Sequence, residues 1–155
     1  MKRRMAVFAT LVVVLAAGSL LFAQGNPFVG TWKLDLANSK YNPGPAPKSQ
    51  TRTWDASGMV MVNSIGATGT ASSYGYTIKD DGKEYSTMGA IPNTADKITS
   101  KKIDANTYEG NFLKAGKHVE TTTFVVSNGG KTLTIHAKGV GPVGNFENTT
   151  VWNKQ

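Results

Sequence analysis

The sequence predicts an all-β fold, a single antiparallel up-and-down β-barrel of about 8–10 strands, and three observations carry that prediction. Turn signals recur down the chain, at Ser57-Gly58, Asp80-Asp81-Gly82, Asp104-Ala105-Asn106, Ala115-Gly116, Asn128-Gly129-Gly130 and Gly141-Pro142. Between them lie short alternating segments rich in Thr, Val, Ile and aromatic residues, the pattern of successive hairpins. No stretch sustains a 3.6-residue apolar period with caps, and charged residues make up only 17% of the chain, so a charged helical bundle does not fit.

The chain opens on Lys2, Arg3 and Arg4, then an uncharged apolar run from Met5 to Ala23, then Gln24-Gly25-Asn26-Pro27. This is the layout of a secretory signal peptide, so residues 1–23 read as a leader cleaved between Ala23 and Gln24. The remaining span, 24–155, shows no second composition zone and reads as one exported domain, secreted or periplasmic. Without the leader's three basic residues, 17 basic and 10 acidic residues become 14 and 10, a net charge of +4. The remaining lysines are scattered, with no dense basic run, so nucleic acid is not an expected partner. The expected strands are short and polar on both faces, which argues against a membrane-spanning barrel, and no stable membrane insertion is expected once the leader is cleaved. The chain has no cysteine, which excludes a disulfide framework, a thiolate metal site and a cysteine nucleophile. No cofactor or metal is expected; Asp80-Asp81-Gly82 lacks the alternating acidic ligands of a calcium loop.

The expected strands are 28–35, 49–55, 59–65, 72–79, 83–88, 97–103, 107–114, 117–126, 131–138 and 146–153. The alternate prolines of Asn42-Pro43-Gly44-Pro45-Ala46-Pro47 fit neither helix nor central strand and read as a long loop over one end of the domain. A β-sandwich is the alternative architecture.

Strand periodicity places Gly30, Trp32 and Leu34 on one face, Tyr74, Tyr76 and Ile78 on another strand's face, then Leu133, Ile135 and Ala137, and finally Phe146, Asn148, Thr150 and Trp152. These inner faces mix aromatics with Thr, Asn and Gly. A lined cavity has this composition, and so does a core with satisfied polar residues. The candidate cavity-lining residues are Trp54, Tyr74, Tyr76, Phe112, Ile135, Ala137, Thr150 and Trp152. Met59, Met61, Tyr85 and Met88 are further candidates for a pocket mouth. His118 and His136 are the only histidines, and Glu120 follows His118 by two on the same strand face. With no nucleophile or oxyanion motif beside them, no catalytic residue is assigned and the chain is not expected to be an enzyme.

Phe28-Val29-Gly30-Thr31-Trp32-Lys33-Leu34 resembles the opening strand of the fatty-acid-binding proteins and carries the Gly-x-Trp signature of lipocalins generally. The overall character resembles a bacterial exported lipocalin-like domain of the calycin superfamily. The resemblance implies that Gly30 and Trp32 form the base of the barrel and that the interior binds a small hydrophobic, lipid-like molecule. Two departures stand out. The Pro-rich loop occupies the place of the family's helical lid, and Thr150 and Trp152 occupy the place of its Arg-x-Tyr carboxylate clamp. A neutral or weakly polar ligand is therefore expected. The leading expectation is a non-catalytic binding barrel for carriage or sequestration. The alternatives are an envelope protein-interaction or inhibitor module with a filled core, and a barrel enzyme using His118 or His136. Oligomeric state is left open.

Overall fold

The computed structural model describes residues 25–155; the expected leader lies outside the described residues. The described chain forms one antiparallel sheet. Its strands are β1 (Gly30–Lys40), β2 (Ser49–Trp54), β3 (Met59–Ile65), β4 (Ala71–Thr77), β5 (Tyr85–Ser86), β6 (Met88–Gly89), β7 (Lys97–Asp104), β8 (Thr107–Lys114), β9 (Lys117–Ser127), β10 (Thr132–Gly141) and β11 (Gly144–Lys154). Their spatial order is β5-β7-β8-β9-β10-β11-β1-β2-β3-β4-β6. The first long strand thus lies beside the last, as an up-and-down barrel requires.

The two ends of that order are one stretch of chain. Tyr85 and Ser86 pair with Ile98 and Lys97 of β7, while Met88 and Gly89 pair with Gly75 and Tyr74 of β4. Thr87 alone separates the two pairings, so this segment joins the edges and closes the sheet into a barrel. Side chains complete the seam. Ser100 Oγ accepts from the backbone N–H of Lys79 at 2.9 Å and donates to its carbonyl at 2.7 Å. Asp80 Oδ1 accepts from the Lys102 N–H at 3.0 Å. This near-closure shortens the free strand edges that would otherwise template aggregation. It also sets aside the sandwich and divides the expected 83–88 strand into two short pairings.

Several boundaries differ from the sequence reading. β1 runs to Lys40 rather than ending at 35, through an irregularity between Asp35 and Lys40. Asp35 holds it by accepting from Asn38 N and Nδ2, and Ser39 Oγ accepts from Val151 N at 3.0 Å. β10 and β11 are longer than expected and meet at a tight hairpin, Gly141 pairing with Gly144.

One end of the barrel is closed by aromatics. Phe28, Trp32, Trp54 and Phe124 are buried there with Tyr108, and the rings of Phe28 and Trp54 lie 4.8 Å apart. Trp54 meets Phe124 at 5.6 Å, edge to face, an arrangement favoured by the ring quadrupoles. Trp32 Nε1 donates to the Phe28 carbonyl at 2.9 Å, which satisfies its buried N–H. Gly30 has φ +142°, a conformation that side-chain-bearing residues rarely adopt, and a Cβ there would lie 2.7 Å from Lys154 Cε. The Lys154 stem passes over this gap to donate to the Pro27 carbonyl at 2.9 Å and to lie 4.9 Å from the Trp32 ring. Gly30 and Trp32 thus sit together at the base.

Candidate functional site

Above the aromatic floor the barrel holds a cavity of about 380 Å³. Tyr74, Tyr76, Phe112, Ile135, Ala137, Thr150 and Trp152 all border it. They come from β4, β8, β10 and β11, whose inward residues alternate with outward ones, so the 2-residue period brings them to one interior. Pro43, Pro45 and Pro47 line the mouth, together with Ala67, Pro92, Pro142 and Val143. The Pro-rich loop is fixed at its start, where Asn42 N donates to Asn148 Oδ1 at 3.0 Å and Asn42 O accepts from Glu147 N at 2.7 Å.

Several expected positions fall elsewhere. Trp54 faces inward but lies in the floor, boxed by Phe28, Tyr108 and Phe124, and does not border the cavity. Met59 and Met61 are half-buried on the outer face of β3, because the alternation of that strand turns Val60 and Val62 inward. Met88 is exposed on the closing segment, and Tyr85 there lies against Lys79 and donates to Asp81 Oδ2 at 2.5 Å. His118 does not share the inner face with Glu120. The β8–β9 register slips between Phe112 and Leu113, pairing them with Glu120 and His118 and leaving Val119 as an extra residue. This β-bulge reverses the alternation, so His118 is exposed and contacts the outward Thr121 Oγ1 at 2.9 Å. His136 is likewise exposed, 3.0 Å from Thr149 Oγ1.

The interior has a polar side that the sequence reading missed. Arg52 of β2 is only 5% exposed and points into the cavity. One Nη1 hydrogen goes to the Tyr76 hydroxyl. The guanidinium lies 4.7 Å from the Trp152 ring and 5.8 Å from that of Tyr76, within cation–π range of both. Its Nε has no hydrogen-bond partner, and among the described residues it forms no salt bridge. The signal was present in the sequence: Gln50, Arg52 and Trp54 alternate on β2, so an inward Trp54 implies an inward Arg52. The missing clamp at Thr150 and Trp152 therefore does not leave the interior without a cation. The charge enters from β2, not from β11, where Thr150 and Trp152 stand.

Glu120 of β9 is the interior's carboxylate. Oε2 accepts from Asn93 Nδ2 at 2.5 Å, and Oε1 accepts from the Thr122 hydroxyl. Burial pushes its pKa up from the ordinary carboxylate value; the two hydrogen bonds and the Arg52 charge oppose that rise. Burial also raises Tyr74 and Tyr76, and pushes Tyr41 up to about 12, with Arg52 opposing in each case. The Tyr41 hydroxyl is buried and has no hydrogen-bond partner among the described residues. Arg52 and the three tyrosines thus form a cluster of donors on the polar side of the cavity, which Gln50, Asn93, Glu120, Thr122 and Thr150 also line.

No protein-family model matches the sequence, and no curated protein does. Among solved structures the chain is similar to the ileal bile acid-binding protein of zebrafish, crystallised with cholic acid. The two are 10% identical, the match covers 83% of this chain and 99% of the other, and the TM-score is 0.47. The closed antiparallel barrel stands on the strand pairing described above.

Proposed function

We propose that this protein binds one small hydrophobic molecule inside the barrel, as a carrier or sequestering protein and not as a catalyst. The observation that carries this reading is the cavity of about 380 Å³ above a packed aromatic floor, a size at the lower end of small-molecule pockets. Apolar groups entering it leave water, each buried methylene contributing about 0.8 kcal/mol. The open end is bordered by the Pro-rich loop, the β3–β4 loop at Gly66 and Ala67, the segment from Ile91 to Asn93 and the β10–β11 hairpin. The two histidines supply no general base to the interior, since both face outward.

The functional setting is outside the cytoplasm, on the strength of the leader pattern in residues 1–23. Intact mass of the protein recovered from the envelope or the medium tests this directly. A mass starting at Gln24 supports export and cleavage; a full-length mass in the cytosol opposes them. Native mass spectrometry of the same preparation, before and after incubation with an envelope lipid extract, tests the binding role. A small molecule that leaves on gentle activation supports the carrier reading. A clean apo mass after incubation moves the weight to a protein-interaction role.

A further inference from the structure

We infer that Met59, Met61 and Met88 form a thioether site on the outer face of the barrel for a soft monovalent cation, copper(I).

The sequence has five methionines. Met1 and Met5 fall in the expected leader, and the other three gather on one patch. Strand pairing brings them together. Met61 of β3 pairs with Gly75 of β4, and Gly75 pairs with Met88 of β6, so one row crosses three strands. Met59 shares the outward face of β3 with Met61, about 7 Å along the strand. Met59 and Met61 are half-buried and Met88 is 43% exposed, so the patch is open to solvent.

Gly75 is the floor of the site. Its neighbours Tyr74 and Tyr76 border the cavity, so position 75 faces out. It is nonetheless buried, because the Met61 and Met88 side chains cover it. A Cβ there would overlap Met61 Sδ and lie 3.2 Å from Met88 Cγ. The backbones of β3 and β6 stand about 9–10 Å apart across β4. Two flexible thioether side chains close that span because nothing projects between them.

The donor set selects the ion. A thioether is a neutral, polarisable sulfur donor that favours copper(I) over harder ions. Among the described residues no group of three His, Asp or Glu side chains is placed to hold a metal ion, so a harder divalent ion finds no comparable set. Asp55 sets a negative charge beside the row, its Oδ1 accepting from Met59 N at 3.0 Å. The neighbouring outward positions are Thr51, Thr53, Ser73 and Thr77. The methionines are thus an island of sulfur on a hydroxyl-bearing face and not an extension of the core. Met88 belongs to the segment that joins the sheet edges, so a bound ion would tie that segment to β3 and clamp the seam.

Titration with silver(I) in chloride-free buffer tests the inference, silver matching copper(I) in charge and softness without its redox chemistry. The readout is the NMR signal of each 13C-labelled methionine methyl, assigned by single Met→Leu variants, which nearly conserve volume. The signals of Met59, Met61 and Met88 should move together and saturate at one ion per chain. Met61→Leu and Met88→Leu should each weaken binding about tenfold or more, equivalent to about 1.4 kcal/mol. The double variant His118→Ala with His136→Ala should bind as wild type does, and zinc(II) should move none of the three signals. Anaerobic copper(I), kept reduced with ascorbate, should displace silver and shift the same signals. Methyl signals that stay still, or that move at separate silver concentrations, overturn the inference. So do wild-type silver affinity in folded Met61→Leu and failure of copper(I) to displace silver. The patch lies on the opposite side of the sheet from the cavity, so none of these outcomes bears on the hydrophobic-binding reading.

Discussion

The guanidinium of Arg52 lies 4.7 Å from the ring of Trp152, the two projecting inward from β2 and β11, the strands that flank β1. Trp152 Nε1 donates to Thr150 Oγ1 at 2.9 Å, which fixes the indole on which the cation rests. The charge is therefore held by aromatic faces rather than by a carboxylate, and this arrangement decides both the stability and the chemistry of the cavity.

A site kept for binding should be suboptimal for folding. Replacing Arg52 alone relieves the buried charge but leaves the Tyr76 hydroxyl short of its partner, so the two effects offset and Arg52→Met should change stability by less than about 1 kcal/mol. The double variant Arg52→Met with Tyr76→Phe removes the buried charge and the buried hydroxyl together. It should be about 1–3 kcal/mol more stable than wild type in urea denaturation, because a buried ionic group exchanged for packed apolar ones is often a net gain. A double variant markedly less stable than wild type would mean that the cation contributes to folding.

Glu120 should leave a pH signature. Its folded pKa is raised above the ordinary value of 4.5, so the native state holds its proton to higher pH than the unfolded chain does. Its contribution is most favourable below the unfolded value and is lost as pH rises through the folded one. The stability of wild type relative to Glu120→Gln should therefore fall as pH increases from about 4.5, the ordinary carboxylate value, toward neutrality. The comparison isolates Glu120 from Asp35, Asp55, Asp81 and Glu109, whose pKa values are shifted downward and are common to both proteins. A difference that is flat with pH would contradict the assignment.

Gly139 of β10 pairs with Glu120 and makes room for the bulge beside it. A Cβ at Gly139 would lie 2.2 Å from the Val119 carbonyl oxygen and 2.8 Å from Glu120 Cα, both backbone atoms with little freedom to move. Gly139→Ala should cost about 2–3 kcal/mol of stability, measured by thermal or urea unfolding, as overpacking against backbone does. It should also displace Glu120 from Asn93, so the pH signature of the preceding paragraph should weaken. A neutral Gly139→Ala variant would show that the β9–β10 contact is looser than described.

Much of the fold was legible because the physical rule behind it is local. Alternation placed Trp32, Ile135, Thr150 and Trp152 inward, and Gly141-Pro142 marked the β10–β11 turn region. The loop through Pro43 to Pro47 crosses one end because its prolines bar it from a ladder. What was not legible depended on register and on long-range pairing. The bulge at Val119 reversed the facing of His118, and nothing in Lys117-His118-Val119-Glu120 marks it; the steric gap that permits it is at Gly139, on another strand. The closing segment around Thr87 reads as an ordinary strand, because pairing with two different neighbours leaves no local pattern. Arg52 was overlooked for a different reason. Charged residues on strands usually face solvent, and only the two-residue spacing from Trp54 marks this one as inward.

The most direct test of the central claim, an interior open to one small apolar molecule, is a titration with the neutral fluorophore N-phenyl-1-naphthylamine. Wild type should bind it saturably at one site per chain, and Ala137→Trp, which fills the cavity from β10, should abolish binding while remaining folded by circular dichroism. Saturable binding that survives unchanged in folded Ala137→Trp, or no binding by wild type, would contradict the account.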